Sequence, residues 1–184
     1  IGGTTITGNE CMARESKNSD TERQLEAKAV VARLDDAGKK LFSASERAYD
    51  DYVTAMGLFV YEVYMQGTIR GAMSLGEEQG LKAGRAKELA DFPKFAAGGV
   101  STKDIDAAER NMTAALAKVK TDTFAQKQAL QKTQQAWTTY RDAEFALYEH
   151  VFGPRQGQER VHAIVLVGLE SHRAKVCVFP SAGP

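Results

Sequence analysis

Cysteine and proline are scarce in this chain, with two and four copies among 184 residues. So few cysteines exclude a disulfide-dense scaffold, and so few prolines leave long stretches free of helix breaks. Neither sign of charge dominates, since 24 Lys and Arg balance 24 Asp and Glu. No global basic field is available to hold a phosphate backbone, so no nucleic-acid partner is expected unless a local patch supplies one. Long apolar runs are missing too. Residues 56–65 and 163–169 are the longest, the first contains Glu62, and a membrane-spanning helix needs about 20 such residues, so no membrane insertion is expected. What is present is an ordinary globular composition, 43% hydrophobic and 26% charged. A chain of this size can hide about 70% of its unfolded surface without metal or disulfide staples. It opens without Met on Gly- and Thr-rich residues 1–8, the look of a processed, exported protein. Cys11 and Cys177 could close nearly the whole chain into one loop in an oxidising compartment, or stand as two unrelated thiols.

The stretches between the prolines are rich in Ala, Leu, Lys, Glu and Gln, which favour helix. Residues 1–19 read as a flexible N-terminal segment. Ser19 with Glu22 can cap a helix start, after which helical spacing runs through Leu25, Ala29, Val30 and Leu34 toward Tyr64 and stops near Gly67. A second helix is expected over residues 68–89. Residues 92–100 contain a Pro stop and a Gly pair and form the best linker. Ser101 and Asp104 resemble a capping box with Asp in the Glu position, followed by Ile105, Ala108, Met112 and Leu116. A long helix over 123–152 should break at Gly153-Pro154, and a last one should cover 156–175.

Shifting the sequence by 88 positions pairs Ala48 with Ala136, Tyr52 with Tyr140, Ala55 with Ala143 and Val63 with Val151. The same shift pairs Arg85-Ala86-Lys87 with Arg173-Ala174-Lys175 and sets Tyr49 opposite Trp137. These positions share a helical stripe, so the match preserves a buried face, although two Ala-rich amphipathic helices can also resemble one another by patterning alone. The expectation is an all-α helical bundle: a single domain over residues 20–180, built from two pseudo-repeated helical hairpins at 20–93 and 101–180.

In the second half, Gln134, Ala136-Trp137 and Tyr140-Arg141-Asp142 lie on one helix, and Gly168-Leu169 and Arg173-Ala174 on the next. This resembles the LprI-like family of bacterial exported helical proteins, which includes a lysozyme inhibitor. The likeness covers residues 130–177; residues 42–89 keep only Ala48, Tyr49, Tyr52 and the segment from Arg85 to Leu89. Members usually carry a cysteine after the Tyr-Arg-Asp segment, paired with a later one, where this chain has Phe145. The resemblance implies a non-enzymatic periplasmic or cell-surface protein, without cofactor, that binds and inhibits a lysozyme-like cell-wall hydrolase. An immunity protein against a secreted toxin effector, or a structural or small-ligand-binding helical protein, are the other readings. The oligomeric state is not encoded in any motif.

Trp137, Arg141, Glu144 and Tyr148 share a stripe at helical steps. Arg141 and Glu144 can pair there with the Arg stem against Trp137, or the same residues can form a protein-binding hot spot. Arg85 and Arg173 are expected to tie the second helix of each hairpin to the first. Residues 153–160 read as a polar, Gly-bounded turn, either a plain connection or a loop presenting Arg155, Gln156 and Arg160 to a partner. Facing a lysozyme, Arg155 would meet the paired carboxylates of the active site. Residues 94–99 are the competing loop. Catalysis has little support: His150, His162 and His172 have no nucleophile in register. One Glu-x-x-His, Glu159 to His162, falls short of the two that a di-iron bundle needs. Zinc would need Cys177 to meet His162 or His172 without any Cys-x-x-Cys pair, and no Gly-rich phosphate cradle occurs, so no metal site is expected.

Overall fold

In a computed structural model the described residues are 5–64, 69–95 and 101–176, with side chains described except at 5–9, 11–13, 16, 172 and 174–176. Six α-helices occupy them: α1 (Thr5–Val31), α2 (Asp36–Val63), α3 (Arg70–Asp91), α4 (Thr102–Ala117), α5 (Phe124–Gln156) and α6 (Gln158–Val176). One 3₁₀ turn, Phe92–Lys94, follows α3. The protein is all-α, as its composition predicts. The starts of α2 and α5, Asp36 and Phe124, stand 88 positions apart, as do those of α3 and α6, Arg70 and Gln158. That spacing equals the shift that aligns the two halves of the sequence.

Three boundaries differ from the sequence expectation. Helix α1 begins at Thr5, so residues 5–19 are helical and the start expected at Ser19 is interior. The polar side chains there bond along the helix instead of capping it: Asp20 accepts from Arg23 and Gln24, and the Thr21 hydroxyl donates back to the Lys17 carbonyl. The single run expected from Ser19 to Tyr64 breaks at Ala32–Asp35. Leu34 keeps the apolar spacing, but Asp35 turns extended, with ψ 176°, and its carboxylate accepts from the Gly38 N–H at 2.7 Å, capping α2. Finally, α5 runs through Gly153-Pro154 and ends only before Gly157, whose φ of +87° suits glycine. Pro154 lacks an N–H and so gives up one bond of the ladder, and α5 continues only two residues beyond it.

By contacts the chain divides into two compact units, residues 1–95 with 122–140, and residues 96–121 with 141–184. In the first, α1 packs along α3 and α3 against α2. The α2 residues Phe42, Ser45, Tyr49, Tyr52, Met56 and Phe59 recur at steps of three and four and are buried, with Val60 beside them; each large apolar side chain among them contributes roughly 1.5–3 kcal/mol on burial. Trp137 and Tyr140 bring α5 into that core. In the second unit α4 packs on α6, and Val161, Val165 and Leu169 form the buried stripe of α6. The start of α4 is fixed as the sequence predicts, by the Ser101 N–H and hydroxyl donating to Asp104 Oδ2, both at 2.7 Å. Those two bonds hold the Asp104 carboxyl below its ordinary range.

Candidate functional site

Within the first unit the polar residues turn inward. The Arg85 guanidinium on α3 is 1% exposed and lies 2.9 Å from Glu46 of α2 and 3.3 Å from Glu88. It also donates to the Ser45 hydroxyl at 3.2 Å and to the Tyr140 hydroxyl at 3.1 Å. The tie expected of Arg85 to the preceding helix is therefore made through Glu46. Sequence reasoning missed its neighbour Arg23 on α1, which reaches Asp50 at 2.7 Å and the same Glu46 at 3.5 Å. Burial works against the Arg23 charge, and the bond to Asp50 with the charges of Glu46, Asp50 and Asp20 outweighs it, raising the group above its ordinary value. Both guanidiniums approach the Tyr49 ring, at 5.4 and 5.5 Å from its centroid. Burial, and after it the Glu88 carboxylate, push the Tyr49 phenol well above its usual value, against the pull of Arg85 and Arg23.

Trp137 belongs to this interior. It is 3% exposed, and its ring lies 5.4 Å from Tyr52 and 5.8 Å from Tyr140. The stripe from Trp137 to Tyr148 is therefore not one binding face. Glu144 is also interior, at 2% exposed, which withdraws it and Trp137 from any partner surface. Arg141 and Tyr148 are half-buried, and Arg141 is the charged one of the two. Its Nε and Nη2 donate to Asp142 Oδ1 at 3.1 and 2.9 Å, and its guanidinium lies 5.9 Å from the Phe145 ring centroid. Phe145 in turn stacks on His162 at 4.5 Å.

The other predicted contact residues lie where α5 meets α6. The expected loop over 153–160 is instead an elbow with Gly157 alone outside the helices. Positive φ at Gly157 lets α6 begin one residue after α5 ends, so Arg155 and Arg160 project from helix ends. Both are exposed, and Gln156 is half-buried. Arg155 also suits the last turn of α5, where exposed carbonyls favour a cation. Neither Arg155 nor Arg160 forms an ion pair among the described residues. Such an elbow offers two forked, helix-mounted donors to an external carboxylate or phosphate.

The metal reading gains nothing from the geometry. His162 Nε2 lies 3.2 Å from Glu149, and no group of three His, Cys, Asp or Glu that could hold a metal occurs among the described residues. In the competing loop Lys94 pairs with Asp91 at 3.1 Å, while residues 96–100 lie outside the described residues, as does Cys177. Cys11 falls in α1 with its side chain not described, so the Cys11–Cys177 bond falls outside too. Among the described residues no helix is long and apolar enough to cross a membrane.

Comparison with known proteins gives one family match: residues 98–176 match the model of the family described as Lysozyme inhibitor LprI. That stretch takes in α4, α5, the Gly157 elbow and α6. No curated protein and no solved structure matches the chain.

Proposed function

We propose, from the premise that residues 98–176 are an LprI family region, that the chain is an exported, non-enzymatic inhibitor of a lysozyme-like peptidoglycan hydrolase. The observation that supports this reading is the Gly157 elbow inside the matched region, with Arg155 and Arg160 exposed and unpaired among the described residues. Lysozyme-type hydrolases work with two carboxyl groups about 5–5.5 Å apart when retaining and about 6.5–9.5 Å apart when inverting. A guanidinium fork matches a carboxylate in shape and charge. Arg155 enters that cleft and takes the place of the cationic transition state, while Arg160, in the first turn of α6, contacts the acidic rim. Gln156 and Arg141 supply flanking polar contacts. Mounting both arginines on helices reduces the ordering cost of binding compared with a flexible loop.

The reading is tested by adding the purified chain to a panel of lysozymes and other peptidoglycan hydrolases and following turbidity of a cell-wall suspension. Saturable inhibition of at least one lysozyme-type enzyme is expected. Full activity across the panel at an excess of the chain would remove the inhibitor reading.

A further inference from the structure

Helices α2 and α5 leave a groove of about 290 Å³ on the first unit. Two bonds hold its walls together: the Thr133 hydroxyl donates to the Ala55 carbonyl at 3.0 Å, and the Gln126 amide to the Glu62 carbonyl at 3.1 Å. The small side chains of Ala55, Ala125 and Ala129 line the seam without filling it. Two large apolar residues near this unfilled space are in water: Leu58, which lines it, at 56% exposed, and Phe124, one helical turn before the lining residue Gln128 on α5, at 80% exposed. An exposed Phe forgoes roughly 1.5–3 kcal/mol of burial. Knob and hole on one surface are what a self-complementary contact requires.

The charges carry the same relation. The α2 wall presents Asp51 and Glu62, and the α5 wall presents Lys132. None of the three forms an ion pair among the described residues. A surface with acid on one wall and a cation on the other matches its own copy once a two-fold axis lays α5 of one molecule over α2 of the next. We propose that this face is the interface of a homodimer, in which Phe124 of each copy fills the groove of the other and Lys132 of each faces Asp51 and Glu62 of the other. The proposal uses no residue of the Gly157 elbow and stands apart from hydrolase inhibition.

Sedimentation of the full chain from micromolar to near-millimolar concentration tests it. A concentration-dependent dimer is expected. Phe124→Asp and Leu58→Asp should each sediment as monomers with unaltered circular dichroism and melting, because both side chains are already solvated. Lys132→Glu should weaken the dimer about tenfold or more, and adding Asp51→Lys with Glu62→Lys to that variant should restore it. A monomer at every concentration, or a dimer that survives Phe124→Asp and Leu58→Asp, would overturn the proposal. A monomer that instead binds a basic amphipathic peptide at Leu58 would also overturn it, assigning the groove to a foreign helix.

Discussion

Arg85 is a charge kept inside a helical unit by full pairing: Glu46, Glu88, Ser45 and Tyr140 surround it on three helices. Removing one partner of such a set strands the others, at a cost of about 3–5 kcal/mol. Arg85→Ala should therefore lower stability by that amount in urea unfolding. Arg85→Met combined with Glu46→Gln should lose less, because the more deeply buried carboxylate goes with the guanidinium, while Glu88, 34% exposed, still reaches water. Glu77 on α3 is the opposite case, a carboxyl that burial alone raises above its ordinary range. The folded state thus prefers it protonated. Its contribution is fully present below about pH 4, the unfolded range of Glu, and is lost as pH rises through the raised folded value. Glu77→Gln should accordingly melt higher than the parent at neutral pH and match it below pH 4, which thermal melts across pH would show. A Glu77→Gln variant that is less stable at neutral pH would mean that its carboxylate is held by a partner.

At the scale of elements, Gly157 makes the elbow. A Cβ there would touch nothing within 4 Å, so Gly157→Ala tests backbone conformation alone. At φ +87° an alanine should cost about 1–2 kcal/mol, visible as a lower urea midpoint, and should displace Arg155 relative to Arg160. The elements most legible in the sequence were those with two agreeing signals. Ser101 with Asp104 before an apolar stripe gave the start of α4, and the starts of α3 and α6 fell within two residues of expectation. Errors arose where one signal masked another. Leu34 carried the apolar spacing across the α1–α2 break and hid the Asp35–Gly38 cap. Pro154 read as a stop, although α5 continues two residues past it at the loss of one ladder bond, and the residue that ends α5 is Gly157. At the candidate site, the exposure of Arg155 and Arg160 was legible from polar composition. The burial of Trp137 and Glu144 was not, because helical spacing identifies a face without saying what packs on it. Arg23 was missed for the same reason: its acidic partners Glu46 and Asp50 lie on another helix.

Across the whole molecule, the buried Arg23 and Arg85 and the exposed Arg155 and Arg160 lie in different regions of the chain. The first unit directs Arg23 and Arg85 inward, where they join helices. The elbow between α5 and α6 directs Arg155 and Arg160 outward, inside the LprI-matched residues 98–176. In the proposed inhibitor, holding and binding fall to different arginines, and they should separate under mutation. Arg155→Glu with Arg160→Glu should leave the melting temperature within a degree or two, since exposed substitutions rarely change stability by more than about 0.5 kcal/mol. The most direct measurement is the inhibition constant of a susceptible lysozyme-type hydrolase against the parent chain and this double variant. The account predicts saturable inhibition by the parent and a loss of about 30-fold or more in the variant, the equivalent of roughly 2 kcal/mol at a charged contact. Equal inhibition by the two proteins would contradict it and place the binding face away from the elbow.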